Sequence, residues 1–307
     1  MRVTVIGAGA MGGLIGGRLF QAGHEVTLVS RNRATGEAIA GRGLILTEGA
    51  DQAVLPLAVR SEAGPGAADL VVIMVKADDT AAACRTAVPA VGPDTAVLTL
   101  QNGLGNVEAI LATLPGCHLL AGTTTQGSRT ASAGEVVVAG RGLTELAALQ
   151  PADADLAVQT AALLDGAGLA ARAVSDPWPL IWNKLAINAV INPVAALLGC
   201  TNGQLLELAG TEALAHQVLA EVASVAATRG ASLATDWPAI QAVLAGTRAN
   251  QCSMLQDLRR GRRTEIRALN GAVARYGEAA GIWCPVNSTL SSMIVLAEQA
   301  MGIFSDL

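Results

Sequence analysis

Apolar positions come as short continuous runs in the first half of the chain and at helical spacing in the second. Val3–Ile6, Glu25–Ser30, Ala68–Val75, Ala96–Leu100 and Leu119–Thr124 are runs of this kind. They predict strands, and the longest, Ala68–Val75, is typical of a strand covered on both faces of an open parallel sheet. Residues 13–21 predict an amphipathic helix that stops at Gly23. Leu44 and Leu46, then Val54, Leu57 and Val59, suggest short strands around a turn. Glu135–Ala139 and Leu143–Leu146 predict a hairpin with Gly140-Arg141-Gly142 as its turn. A helix over 155–166 and an edge strand over Leu169–Val174 follow, and Asp176-Pro177-Trp178-Pro179 marks a junction at about 175.

Beyond the junction no segment reads as a strand. Residues 180–199 form a mostly apolar helix in which Ile181, Leu185, Ile187, Val190 and Ile191 are interrupted by Lys184, Asn188 and Asn192. Steps of four drift by only about 40°, so these three make one polar stripe. Polar groups on such a helix need partners or a wet cavity, because unpaired burial costs a few kcal/mol each. A solvated face would carry several charges, so the stripe reads as the lining of a cleft. Pro193 predicts a kink. Residues 211–229 predict another helix, and Trp237-Pro238 opens the next. Asn250, Ser253 and Asp257 fall on one face of a helix over 250–260, and Arg259–Arg263 reads as a surface turn around Gly261. Glu265 then opens a helix capped by Thr264, with Ile266, Leu269 and Val273 facing a core. A carboxylate in a first turn suits the helix dipole, and that structural role competes with a catalytic one. The last helix covers 287–300.

The first candidate chemistry lies in Gly7-Ala8-Gly9-Ala10-Met11-Gly12, directly after the first strand. In this spacing the first glycine permits a tight turn and the second lets backbone approach a pyrophosphate. The third lets helix and strand pack closely, so that the helix N-terminus faces the phosphates. The fold class expected is α/β: a Rossmann-type dinucleotide-binding domain over 1–175, followed by an all-helical substrate and catalytic domain over 176–307. The second strand ends in Ser30, Arg31 and Arg33, with no carboxylate to hold the ribose hydroxyls. Guanidinium groups there can bind a 2′-phosphate, which predicts NADP(H) rather than NAD, unless both are ordinary solvated loop residues. Lys76 and Asn102 follow two further strands at their carboxyl ends, where ligands of open parallel sheets bind. Each also has a plain reading, a strand surfacing into water for Lys76 and a generic loop for Asn102.

Composition narrows the function classes. A net charge of −5 argues against a nucleic-acid partner, and no apolar run approaches the length of a membrane span. The chain enters its first strand at once, which predicts no leader segment, and its five scattered cysteines lack CxxC spacing. Together they predict a cytoplasmic protein without structural metal. The three histidines lie far apart, so acid–base chemistry must come from other side chains.

Several stretches together resemble the ketopantoate reductases (2-dehydropantoate 2-reductases), NADPH enzymes of pantothenate synthesis. They are Gly7–Gly12, Arg31, Val75-Lys76, Gln101-Asn102-Gly103-Leu104-Gly105 and Gly122-Thr123-Thr124-Thr125 in the first half. In the second half they are Trp182–Asn188, Ile191-Asn192-Pro193, Asn202-Gly203, Ser253–Asp257, Thr264-Glu265-Ile266 and Asn270-Gly271. The resemblance implies that Lys184 gives a proton to the carbonyl oxygen as hydride reaches the carbon. It implies that Glu265 pairs with Lys184 at the active site, next to the cofactor. Asn188, Asn192, Asn202 and Ser253 correspond to substrate contacts, and Asn250 joins them as a candidate. Lys76 and Asn102 would stand between cofactor and substrate, Arg31 would hold the 2′-phosphate, and Ser128 is a further cofactor contact. Gln101 stands where some members have histidine, and Asn183 where many carry a base. The activity implied is reduction of ketopantoate to (R)-pantoate, with another small 2-keto acid as the alternative substrate. A homodimer is compatible with this reading.

Overall fold

The computed structural model describes residues 1–303. Its chain divides into two compact units, one of residues 1–101 and 106–177, the other of residues 102–105 and the chain from Trp178 onward.

The first unit opens with β1 (Arg2–Ile6), α1 (Ala10–Gln21), β2 (Glu25–Val29) and α2 (Arg33–Arg42). There follow β3 (Leu44–Glu48), β4 (Asp51–Leu55), β5 (Ala58–Arg60), β6 (Leu70–Ile73), α3 (Thr80–Ala87), β7 (Ala96–Thr99) and α4 (Asn106–Thr113). β8 (His118–Thr124), β9 (Gly127–Ser132), β10 (Glu135–Gly140), β11 (Thr144–Ala148), α5 (Ala154–Gly166) and β12 (Ala171–Ala173) complete it. The main sheet has eight strands in the order β12-β11-β8-β7-β6-β1-β2-β5. From β8 to β5 every pairing is parallel, and strand order reverses beside β1. Such a reversal is where a doubly wound sheet leaves a crevice for a ligand.

The predicted hairpin is not formed. β10 pairs with β9 and β3 in a separate four-stranded sheet, whereas β11 pairs with β8 and β12 in the main one. Gly140-Arg141-Gly142 therefore links two sheets. Alternation and turn residues specify two strands and a connection, but not which neighbours they choose.

α1 is likewise not the two-faced helix expected, because it is buried from Gly12 to Gly17. A Cβ on Gly16 would come 2.6 Å from Leu28 of the main sheet, and one on Gly13 would come 2.8 Å from Val136 of the small sheet. Packing on two sides selects the small residues.

In the second unit the helices are α6 (Pro177–Leu198), α7 (Asn202–Glu207), α8 (Thr211–Thr228), α9 (Trp237–Gly246), α10 (Ser253–Arg259), α11 (Asn270–Ala279) and α12 (Pro285–Ala300). No strand occurs here among the described residues. α6 has 22 residues and is long and apolar enough to cross a membrane, contrary to the expectation that no such run exists. Of its most apolar window 61% is buried inside the protein, which accounts for its composition without a bilayer.

Helix α6 runs continuously through Pro193. Proline lacks the N–H that would bond the carbonyl four residues back, so the Ala189 oxygen loses its helical partner. Asn270 Nδ2 donates to that oxygen at 2.9 Å and to Asn287 Oδ1 at 2.9 Å. Asn287 Nδ2 in turn donates to Glu221 at 2.7 Å. This network repairs the helix from outside. Asn270→Ala strands the buried Ala189 carbonyl and should cost about 1–3 kcal/mol in urea unfolding, while an unchanged midpoint would remove the repair role.

Candidate active site

The glycine loop begins where β1 ends. Gly7 has φ +110°, and a Cβ there would lie 2.7 Å from the Met74 carbonyl oxygen. A Cβ on Gly12 would overlap the Gly7 carbonyl oxygen at 1.8 Å. Gly9 differs, since a Cβ on it would meet nothing within 4 Å. Gly9 is also the N-cap of α1, and no side chain caps that helix. Bare backbone with open space in front of it, at an uncapped positive helix end, fits a pyrophosphate. Ala8, Ala10 and Met11 supply the intervening backbone. The residues present thus fit a dinucleotide.

Around this loop the first unit gathers several of the predicted cofactor residues. Arg31 follows β2 and is half-exposed, its Nη2 forming an ion pair with Asp79 Oδ1 at 2.6 Å. Arg33 opens α2, and its Nε donates to Glu37 at 2.6 Å within that helix. Lys76 follows β6, is half-buried, and its carbonyl accepts from Asp79 N at 2.9 Å. Gln101 holds this loop, donating to the Val75 carbonyl at 2.7 Å and to Thr80 Oγ1 at 2.9 Å. Gln101 therefore serves a structural purpose. Ser128 lies on β9 in the small sheet, and its buried Oγ has no hydrogen-bond partner within the protein.

The second unit carries the residues suited to proton chemistry. Lys184 lies on α6 and is half-buried, with its ammonium deep enough that burial pushes it from an ordinary 10.5 down to about 8. The negative charge of Glu265 acts in the opposite direction, favouring the ammonium. Glu265 does not open a helix. It sits in a turn, five residues before α11 begins at Asn270, so a helix dipole does not explain it. Asn102 belongs to this unit through the Asn102–Gly105 turn, and its Nδ2 donates to Glu265 Oε2 at 3.1 Å. That turn is pinned by Leu104 N to the Ala268 carbonyl at 2.9 Å. Gly103 at φ +84° has no room for a Cβ, which would come 2.4 Å from the same oxygen.

A residue missed in the sequence holds the Glu265 turn from below. Glu298 of α12 is 1% exposed and accepts from Thr264 N at 2.7 Å and Thr264 Oγ1 at 2.6 Å. Its other oxygen accepts from Arg267 Nη1 at 2.8 Å. The clamp therefore grips the chain on both sides of Glu265. The available signal was a single carboxylate in the apolar run Met293–Ala297 and beyond.

The remaining candidates divide. On α6, Asn188 is half-buried and Asn192 is buried. Asn202 is buried at the start of α7, its Nδ2 donating to Thr247 Oγ1 at 2.8 Å while its Oδ1 takes no donor from the protein. Asn250 is not on a helix face with Ser253, because α10 begins only at Ser253. It lies exposed after α9, and its carbonyl accepts from Asn202 N at 3.0 Å. Ser253 is exposed at the first turn of α10. Asn183 is structural, donating to the Pro179 carbonyl at 2.6 Å and accepting from Ala234 N and Thr235 N, each at 2.8 Å.

Known proteins are similar to this chain in sequence and fold. Residues 3–151 match the family described as ketopantoate reductase PanE/ApbA, and residues 177–298 match its C-terminal part. A 2-dehydropantoate 2-reductase of Archaeoglobus fulgidus is 36% identical over 302 residues, spanning 98% of this chain and 99% of its own. One from Halobacterium salinarum is 33% identical over 302 residues, spanning 97% and 99%. A solved PanE/ApbA family ketopantoate reductase from Ralstonia eutropha has a TM-score of 0.89 at 31% identity, covering 98% of this chain and 100% of that one. A D-mandelate dehydrogenase solved with NADH and anilino(oxo)acetate has a TM-score of 0.94 at 26% identity, covering 99% and 100%. With both units matched and a relative above one-third identity along nearly its whole length, this chain belongs to the ketopantoate reductase family of oxidoreductases, which use a nicotinamide dinucleotide.

Proposed function

We propose that the protein reduces 2-dehydropantoate to (R)-pantoate with NADPH, in the cytoplasmic synthesis of pantothenate and coenzyme A. The observation that carries this reading is Lys184 in the apolar helix α6, where burial lowers its ammonium to about 8 and the negative charge of Glu265 opposes that shift. A group with a value near the working pH is suited to passing a proton in either direction. Bound NADPH supplies the hydride. Lys184 Nζ donates its proton to the carbonyl oxygen as negative charge develops there, which leaves a neutral amine to be reprotonated from water. Glu265 favours the ammonium between turnovers, and Asn102 orients Glu265 by its hydrogen bond. The unfilled acceptor Asn202 Oδ1 suits the hydroxyl that ketopantoate carries. Asn188, Asn192 and Ser253 are the further substrate contacts in this reading. Gly7–Gly12, Lys76 and Ser128 serve the cofactor.

The activity is tested by following NADPH oxidation with ketopantoate and with a panel of other 2-keto acids. Turnover of ketopantoate above the panel supports the assignment, and no turnover with any of them sinks it. Arg31→Ala should weaken NADPH much more than NADH, because only NADPH carries the phosphate; equal losses would refute the 2′-phosphate role. A second reading, reduction of a different 2-keto acid, is favoured by the similarity to D-mandelate dehydrogenase. It predicts that another acid of the panel outperforms ketopantoate.

A further inference from the structure

We propose that Asp79 sets the cofactor discrimination of this chain by occupying Arg31, so that a 2′-phosphate binds only by displacing a carboxylate of the protein. The proposal rests on the reading of Arg31 as the 2′-phosphate contact. Asp79 ends a 3-10 turn (Ala77–Asp79) that runs directly into α3. Its side chain makes no capping bond there. Its Oδ1 is instead 2.6 Å from Arg31 Nη2, across 48 positions of sequence, with both side chains about half-exposed at 47% and 49%. The backbone on which it stands is held independently, by Asp79 N donating to the Lys76 carbonyl at 2.9 Å.

The pair has a chemical consequence for one cofactor only. A phosphate and a carboxylate compete for the same guanidinium fork, and each repels the other once both are present. NADH has no phosphate at that position and makes no such demand. The other nearby guanidinium does not relieve the competition, because Arg33 is engaged by Glu37 at 2.6 Å. Asp79 thus compresses the preference for NADPH over NADH that Arg31 alone would create. It is a specificity-determining residue that takes no part in the proton chemistry.

The test is to titrate the purified full-length protein with NADPH and with NADH at low salt. Wild type is compared with Asp79→Asn, Asp79→Ala, Arg31→Ala and the Arg31→Ala/Asp79→Asn double variant. Removing the carboxylate should tighten NADPH roughly fivefold, on the scale of one exposed ion pair, and leave NADH within about twofold. The gain should vanish in the Arg31→Ala background. An unchanged NADPH/NADH ratio in both Asp79 variants overturns the proposal. So does weakened NADH, which would make Asp79 a direct ribose ligand, or a gain that persists without Arg31. A different result marks failure of the underlying reading: Arg31→Ala weakening both cofactors equally, whatever Asp79 does.

Discussion

Lys184→Ala is expected to lower kcat for keto-acid reduction by about a hundred- to ten-thousand-fold while leaving NADPH affinity within about twofold. The magnitude is that of a positioned acid removed from a step in which an alkoxide would otherwise form unaided. The cofactor affinity is the control, since the glycine loop and Arg31 belong to the other unit. A variant that keeps wild-type kcat would take Lys184 out of the chemistry. The same residue gives a pH dependence. Reduction needs the ammonium, so kcat should fall as pH rises through about 8. Oxidation of the alcohol needs the neutral amine and should rise through the same point. Glu265→Gln removes the charge that favours the ammonium, so the midpoint of both profiles should move to lower pH. A midpoint that stays in place would separate Glu265 from Lys184. The effect on stability has its own sign. The folded value lies below the ordinary 10.5, so the unfolded chain binds the extra proton between the two. Lys184 therefore costs stability fully below about pH 8, and the cost fades as pH rises towards 10.5.

Glu298→Ala is expected to destabilise the folded protein by about 3–5 kcal/mol, the scale for removing one partner of a buried ion pair. Glu298 is 1% exposed, and its loss would leave Thr264 N, Thr264 Oγ1 and the Arg267 guanidinium without an acceptor they now share. That is a large part of the 5–15 kcal/mol typical of a whole domain. Denaturant unfolding reads the loss directly. Glu298→Gln keeps one acceptor oxygen for Thr264 and faces Arg267 with an amide, so its cost should be smaller but still clear. A Glu298→Ala protein as stable as wild type would mean that water or a neighbour replaces the clamp without penalty.

The glycine loop, the two-part organisation and the lysine–asparagine helix were legible because each depends on local spacing. Three glycines at a strand-to-helix turn have few other uses, and four-residue steps place Lys184, Asn188 and Asn192 on one side of a helix wherever it packs. The parts that were not legible depend on remote partners. α1 reads as amphipathic until two sheets are found against it, and only then do Gly13 and Gly16 become necessary. Thr264-Glu265 carries the pattern of a capped helix start. Thr264 Oγ1 does accept from Ile266 N at 3.3 Å, but it also donates to Glu298, which is 34 residues away, and the helix begins only at Asn270.

By itself, then, the sequence determined the central strands of the first half, the helical character of the second, the glycine-rich turn after the first strand and the lysine that stands in an apolar helix. Side-chain periodicity, glycine tolerance and proline geometry act over a few residues and leave their mark locally. Only the tertiary structure decided that β10 and β11 enter different sheets and that the Asn102 turn joins the helical unit to hold Glu265. It alone decided that Asp79 meets Arg31. Hydrogen bonds and ion pairs between distant residues are selected by the packing that brings them together, and no local pattern encodes their partner.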